Sequence, residues 1–197
     1  MLSALSALAV APALPARADD RIPLSEISRF FNSFTTAQGA FTQINPDGGI
    51  TTGRLYIHRP GRVRFEYDPP ERSLVMASGG QVAIFDARSN QGPSQYPLRR
   101  TPLNLILERE VDLSRRRMVV DHFAEDGATA VVAQDPDHPE YGTIQLIFTA
   151  NPTELRQWII TDDSRAETTV ILRDMSFGEP LRARLFNITA ETDAWQR

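Results

Sequence analysis

The three histidines are the side chains in this sequence best suited to bind metals or to transfer protons near neutral pH. His58, His122 and His138 lie far apart in the chain and match no spacing of a metal site. His138 belongs to the polar segment 135–140, which resembles a metal-binding loop in composition. Because the segment lacks the glycine and the spacing of a calcium loop, we interpret it as a solvated turn.

Motifs for a catalytic nucleophile or for phosphate binding are missing from the sequence. There is no G-x-S-x-G elbow, no phosphate-binding loop and no dinucleotide fingerprint. Cysteine is absent, which excludes thiol catalysis, thiolate metal sites and disulfides. A catalytic triad assembled from distant residues stays open, and with it the alternative that the chain is a hydrolase. We nevertheless expect a protein that is not an enzyme and that needs no metal or cofactor.

Two arginine features could hold other groups. Arg59 stands at the end of a predicted strand, immediately before Pro60, and its guanidinium offers five donors that can bind backbone carbonyls of a neighbouring element. The alternative is an exposed arginine at a turn. Residues 115–117 are three consecutive arginines, which could contact anionic headgroups or a partner, although so short a basic run is usually only solvated.

Residues 53–70 are the element around which the rest of the chain is organised. Two runs of alternating apolar and polar residues, joined by Pro60-Gly61, predict an antiparallel hairpin. In the second run, the apolar residues share one face and the charged residues share the other. The apolar set is Val63, Phe65 and Tyr67, and the charged set is Arg62, Arg64, Glu66 and Asp68. One face therefore meets an apolar core and the other meets water.

Short strands with frequent turns predict a β-sandwich or barrel on both sides of this hairpin. An apolar stripe at helical spacing predicts a first helix over 22–34. Thr101 as N-cap, with Pro102 at the first position, predicts a short helix over 101–109 that could serve as a lid. The predicted strands are 38–46, 50–58, 62–68, 72–78, 81–87, 93–98, 116–124, 128–134, 142–149, 154–162 and 167–175, with a weaker one over Arg184–Thr189.

Length and charge limit the remaining possibilities. The 197 residues fit one domain, and the net charge of −4 argues against a nucleic-acid partner. Residues 1–18 are small and apolar and end in Ala16-Arg17-Ala18, which indicates the end of a secretory signal peptide. We therefore expect a single domain over residues 19–197.

The hairpin region and its surroundings resemble the LolA family of periplasmic lipoprotein carriers. The resemblance depends on an ordered set of residues: Phe41-Thr42-Gln43, Gly53, Arg59-Pro60, Arg64-Phe65-Glu66-Tyr67 and Pro69-Pro70. It covers most of the chain after residue 20. One departure is Gly79-Gly80, where the family usually has Asp-Gly.

The resemblance implies an architecture and a site. It implies a mainly β fold with helices, in which an incomplete, half-open antiparallel β-barrel is covered by an α-helical lid. It also implies that Arg59 ties the barrel to the lid by hydrogen bonds and releases it when lipid enters. The residues expected to line the cavity for acyl chains are Leu24, Ile27, Phe30, Phe31, Phe41, Leu55, Ile57, Val63, Phe65, Tyr67, Phe85, Leu103, Ile106, Leu107, Leu146, Phe148 and Trp158.

The function implied by the resemblance is that of a monomeric periplasmic chaperone. It would take acylated lipoproteins from an inner-membrane ABC transporter of the LolCDE type and pass them to an outer-membrane receptor of the LolB type. The main alternative is a periplasmic lipid-binding sensor or regulator on the same scaffold. A cavity lined by apolar residues would favour the carrier, whereas polar groups with perturbed pKa values would favour a hydrolase.

Overall fold

One antiparallel sheet dominates the computed structural model, which describes residues 21–89, 91–114 and 117–196. The strands are β1 Thr36–Ile44, β2 Ile50–His58, β3 Arg62–Tyr67, β4 Leu74–Ser78, β5 Gln81–Phe85, β6 Ser94–Pro97, β7 Val119–Glu125, β8 Ala128–Gln134, β9 Thr143–Thr149, β10 Glu154–Thr161 and β11 Glu167–Phe177. The helices are α1 Leu24–Asn32, α2 Asn104–Leu107 and α3 Ile188–Trp195. The predicted signal peptide over 1–18, Arg115 and Arg116 lie outside the described residues.

The strand order explains how the sheet becomes a partial barrel. It runs β6-β5-β4-β3-β2-β1-β11-β10-β9-β8-β7. Strands adjacent in the sequence therefore pair with each other, except β6 and β7, and β1 also pairs with β11. The order begins at β6 and ends at β7, and these two strands form the edges of the sheet. The predicted half-open barrel is therefore confirmed, and the predicted strands up to residue 175 are present with ends displaced by a few residues.

The predicted antiparallel hairpin is formed by β2 and β3. Leu55 is paired with Phe65, and Ile57 is paired with Val63 across the two strands. All four of these side chains are buried in the main core. We call the sheet face that carries them the concave face, since it also packs against α1 and α2.

The concave face is covered by a lid, which we define as α1 together with residues 98–113. Ile27 and Phe31 on the predicted apolar stripe of α1 are buried against the sheet. Within α2, three consecutive residues, Leu105 to Leu107, are buried. A helix of four residues is unstable alone, so this packing must hold it in place.

The predicted N-cap of α2 was wrong. The helix begins at Asn104 rather than after Thr101, and its N-cap position is Leu103. The Thr101 hydroxyl instead donates to the carbonyl oxygen of Leu98 at 2.8 Å and so closes the preceding 3₁₀ turn, Leu98–Arg100. A threonine hydroxyl can make either bond, and the sequence does not distinguish them.

The predicted strand over Arg184–Thr189 was also wrong. The chain forms a 3₁₀ turn over Ala183–Phe186 and then α3, whose N-cap Asn187 accepts a bond from the Ala190 amide at 3.0 Å. Asparagine is one of the preferred N-cap residues, and the alternating apolar residues of this tail concealed that signal.

The prediction of Phe85 as a cavity residue does not agree with its position. Period-two alternation on β5 places Val82 and Ile84 on the concave face and Phe85 on the opposite, outer face. There Phe85 lies in a small cluster with Leu74, Met76 and Ala83, against Ile188 and Trp195 at the two ends of α3. We call this group the outer cluster.

Arg64 is buried on the outer face although the hairpin pattern predicted a solvated side chain. It is only 8 % exposed. Its guanidinium contacts the Glu191 carboxylate at 2.9 Å and donates to the Leu185 carbonyl at 3.1 Å. The C-terminal turn and α3 therefore cover a charge that sequence alternation alone would leave in water.

Gly53 in β2 is required by close packing rather than by its backbone conformation. A Cβ atom there would lie 2.0 Å from the Glu66 carbonyl oxygen and 2.7 Å from the Phe41 ring.

We expect Gly53→Ala to lower the free energy of unfolding by about 1–3 kcal/mol, because the strand must shift to admit the methyl group. Urea denaturation measures this. Gly92→Ala is the matched control, since its added Cβ has only the Gln196 side chain nearby, at 3.7 Å; equal stability of the two variants would contradict the packing argument.

Candidate functional site

Arg59 follows the last residue of β2 and is only 4 % exposed. Its Nε and one terminal nitrogen donate to the Glu108 carbonyl at 3.0 and 2.8 Å, and the same nitrogen reaches the Arg109 carbonyl at 3.3 Å. The other terminal nitrogen donates to the carbonyl oxygens of Phe31 and Phe34. One buried side chain of the barrel is thus bonded to both parts of the lid.

The chemistry of these acceptors suits a guanidinium. Carbonyls in the last turn of α1 have no partner within the helix and carry partial negative charge, so a cation there is favourable. The guanidinium carbon of Arg59 also lies 5.8 Å from the centre of the Phe34 ring. Burial lowers the pKa of Arg59 and the nearby Glu108 carboxylate opposes that effect. Because the ordinary pKa of arginine is so high, the side chain stays charged at neutral pH.

Two further side chains join the parts of the lid to each other. Asn32, at the end of α1, donates to the Val111 carbonyl at 2.8 Å and accepts from the Val111 amide at 3.0 Å. The Leu113 amide donates to the Ser28 hydroxyl oxygen at 3.0 Å. These contacts of α1 with residues 111–113 join the two parts of the lid directly to each other.

A cavity of about 560 Å³ lies between the concave face and the lid segment around Leu103. This volume is in the range of pockets that hold small ligands. We call it the open cavity. Its lining residues are mostly apolar, with several charged groups among them. They are Gln43, Phe65, Tyr67, Val75, Val82, Ile84, Tyr96, Arg100, Thr101, Pro102, Leu103, Tyr141, Trp158, Ile160, Asp162, Asp163, Ala166, Thr168 and Val170.

A second space lies beneath α1, beside Arg59, and measures only about 20 Å³. We call it the inner compartment. Aromatic and aliphatic side chains form its walls: Phe30, Phe31, Phe34, Ala37, Ile57, Ile106, Leu107, Leu155, Trp158, Leu172, Met175 and Phe177, together with Arg59. Trp158 lines both spaces, so the two are neighbours within the same barrel.

Apart from Phe85, which lies in the outer cluster, the predicted cavity residues divide into three groups. Phe65, Tyr67, Leu103 and Trp158 line the open cavity, and Phe30, Phe31, Ile57, Ile106 and Leu107 line the inner compartment. Leu24, Ile27, Phe41, Leu55, Val63, Leu146 and Phe148 pack into the main core and line neither space. Periodicity predicts which face a residue occupies, but not whether its neighbours fill the space above it.

Sequence reasoning missed most of the residues that line the open cavity, including those on β4 and β5. Val75 on β4 faces Ile84 on β5 across the sheet, and both line the cavity together with Val82. The signal was available, because alternation along β4 and β5 assigns these three residues to one face. The hairpin pattern alone gave no reason to extend the cavity so far.

Among the side chains that line the open cavity, Tyr67 has the largest pKa shift. Burial raises its pKa to about 12, and its hydroxyl donates to Gln43 Oε1 at 2.7 Å. The ordinary value is about 10, so between those pH values the unfolded tyrosine ionises while the folded one keeps its proton. The contribution of Tyr67 to the free energy of unfolding is therefore fully present below pH 10 and is lost as the pH rises from about 10 to about 12.

We expect the wild type to lose about 2–3 kcal/mol of unfolding free energy through Tyr67 between pH 9.5 and 12. Tyr67→Phe should remove that part of the loss, because phenylalanine cannot ionise. Urea denaturation of both proteins at the two pH values measures the difference. A variant that loses as much stability as the wild type would show that Tyr67 does not titrate abnormally.

The histidines do not form a site. His138 lies in an exposed loop, 2.9 Å from the Glu140 carboxylate, and its ring stacks on Tyr141 at 4.7 Å. His58 contacts Phe186 on the outer face, and burial lowers its pKa. Across the described ranges, no group of three or more histidine, aspartate or glutamate residues is arranged to hold a metal.

Comparison with known proteins gives the family. The profile described as "Outer membrane lipoprotein carrier protein LolA" matches residues 32–189. A protein named outer-membrane lipoprotein carrier protein from Methylococcus capsulatus is 25% identical over 175 residues, covering 85% of this chain and 83% of that one. One of the same name from Pseudomonas aeruginosa is 26% identical over 192 residues, covering 92% and 90%.

The fold is also found among solved structures. A DUF1329 family protein from Desulfovibrio piger superposes with a TM-score of 0.50 at 10% identity, over 85% of this chain and 95% of that one. No described helix is long and apolar enough to span a bilayer. The profile match covers the whole sheet, residues 98–113 of the lid, Arg59 and all the walls of the open cavity, and it begins at the last residue of α1. The chain therefore belongs to the LolA family of outer membrane lipoprotein carrier proteins.

Proposed function

We propose that this protein is a periplasmic chaperone that carries lipoproteins from the inner to the outer membrane with their acyl chains in the barrel. The observation that supports this most is the open cavity of about 560 Å³. Its wall is mainly apolar, and it lies next to a lid that the buried Arg59 side chain bonds to the barrel. The names of the related proteins agree with such a role.

The energetic reason for a carrier is the cost of exposing acyl chains to water. Burying one CH₂ group is worth about 0.8 kcal/mol, so a chain of ~15 methylenes costs on the order of 12 kcal/mol in water. A lipoprotein leaving one membrane needs an apolar space that moves with it. The barrel supplies part of that space, and movement of the lid would supply the rest.

Arg59 is proposed to be the latch that makes binding reversible. While its bonds to Phe31, Phe34 and Glu108 are intact, the inner compartment is nearly filled by side chains of the lid. A ligand that enters must break those bonds, and this lowers its apparent affinity by the fraction of molecules that are open. The empty protein returns to the closed state, which favours release to a partner.

The partners proposed for the two ends of the route are an inner-membrane ABC transporter that loads the carrier and an outer-membrane receptor that unloads it. Mass spectrometry of the protein isolated from periplasm tests the proposal. We expect acylated lipoproteins to co-purify with the wild type. Recovery of a signalling protein instead would favour the sensor alternative, and recovery of neither lipoproteins nor lipid would contradict the carrier.

A hydrolase is the less well supported alternative. The perturbed groups in the open cavity are Tyr67, Tyr96 and Asp162. Burial raises the pKa of both tyrosines, and hydrogen bonds, first that of Ser164, lower the pKa of Asp162. Burial and local hydrogen bonds explain all three pKa shifts. None of these groups forms a pair of a base and a nucleophile.

A further inference from the structure

Trp158 on β10 separates the open cavity from the inner compartment. Its side chain is 1 % exposed and lines both spaces. Its strand neighbours are Leu146 on β9 and Val170 on β11, both apolar. Within the part of the chain that the structure describes, the indole Nε1 has no hydrogen-bond acceptor.

A buried N–H group without an acceptor needs an explanation, because almost all such groups in folded proteins are paired. A phenylalanine at this position would be aromatic and apolar and would leave no donor unpaired. The Phe65 ring stands edge-on to Trp158 with centroids 6.3 Å apart, and such an aromatic contact replaces a hydrogen bond only weakly. The Nε1 atom is itself buried in the closed protein, so an acceptor brought by a ligand reaches this donor only when the lid moves.

The two spaces on either side of Trp158 differ in polarity. The open cavity includes the polar side chains of Gln43, Tyr67 and Thr168. Apart from Arg59, the inner compartment is walled by apolar side chains. An acyl chain that runs from the first space into the second passes Trp158, and the polar atom at the head of the chain is its carbonyl oxygen.

We propose that the Trp158 indole N–H donates a hydrogen bond to the carbonyl oxygen at the head of a bound acyl chain. The glyceryl side of the ligand then lies in the open cavity, and the hydrocarbon tail extends into the inner compartment. This inference rests on the proposed function, because the inner compartment must widen by movement of the lid. Trp158 is accordingly a specificity-determining residue that distinguishes acyl chains from alkyl chains of equal length.

Two probes of equal chain length test the proposal: dipalmitoylglycerol, which carries ester carbonyls, and its dihexadecyl ether analogue, which does not. Displacement of a fluorescent fatty acid from the purified protein gives both affinities. We expect the wild type to bind the ester about five- to tenfold more tightly, as one hydrogen bond allows. Trp158→Phe should abolish this preference while keeping the ether affinity within about twofold of wild type.

Trp195→Phe is the matched control, because Trp195 packs in the outer cluster and lines neither of the two spaces. It should keep the ester preference. In NMR spectra, the Trp158 indole proton should move downfield with the ester and not with the ether.

An unchanged ester preference in Trp158→Phe, or an equal loss for both probes, would overturn the hydrogen bond and leave only a packing role. Binding of the ether by the wild type would still support an acyl-chain carrier, so the two failures can be told apart. A wild type that binds neither probe would contradict both proposals.

Discussion

Replacing Arg59 with leucine is expected to leave lipoprotein binding intact and to slow the release of cargo at least about tenfold. Each hydrogen bond to a charged group contributes about 1.5–3 kcal/mol, and a shift of about 1.4 kcal/mol changes an equilibrium tenfold. Loss of the bonds to Phe31, Phe34 and Glu108 therefore moves the population toward the open state. An open carrier binds acyl chains without first breaking the hydrogen bonds of Arg59. Because those bonds cannot form again when the variant closes, closure no longer favours release of the cargo.

The measurement is the rate at which a fluorescent acylated lipopeptide passes from the loaded carrier to acceptor liposomes. Arg62→Leu is the matched control, because Arg62 lies three residues away and donates to the His58 carbonyl of its own hairpin at 3.3 Å. It should transfer cargo at the wild-type rate. Circular dichroism checks that both variants fold. A folded Arg59→Leu protein that hands over cargo as fast as the wild type would rule out the latch.

Filling the open cavity is expected to have the second large effect. Val75 lies in its wall, opposite Ile84. Val75→Trp should reduce affinity for an acylated lipopeptide at least about tenfold, because the indole occupies volume that the ligand needs. Stability should change by less than about 1.5 kcal/mol, since the added ring enters existing space and not a packed core.

Isothermal titration with the lipopeptide measures the change in affinity, and urea denaturation measures stability. Val120→Trp is the matched control, since Val120 on β7 is 50% exposed and lines neither space. It should bind like the wild type. If Val75→Trp kept full affinity while folding normally, the acyl chains would have to bind somewhere else.

Much of the fold follows from local pattern. Strict alternation across Pro60-Gly61 predicted the hairpin and the apolar face of its second strand, and the spacing of apolar residues predicted α1. Both patterns reflect burial of one face, which a single sequence records directly. The error at the C terminus has the opposite cause: the tail from Arg184 packs on the outer face through α3, and the pairing of Arg64 with Glu191 is not visible in either segment alone.

The site was predictable in part. Arg59 was identified by its position before Pro60 and by the family resemblance, and the structure places it where one side chain reaches both parts of the lid. Seven predicted cavity residues, such as Phe41 and Phe148, instead fill the main core. Whether an apolar face is filled or hollow depends on how side chains from several elements fit together, and no local pattern encodes that.

Native mass spectrometry of the purified protein mixed with a triacylated lipoprotein, and with the same lipoprotein after removal of its acyl chains, tests the central claim most directly. The claim is that the barrel binds its cargo through acyl chains held beneath the lid. We expect a one-to-one complex with the acylated form and none with the deacylated form. Equal binding of both forms, or a complex with neither, would contradict it.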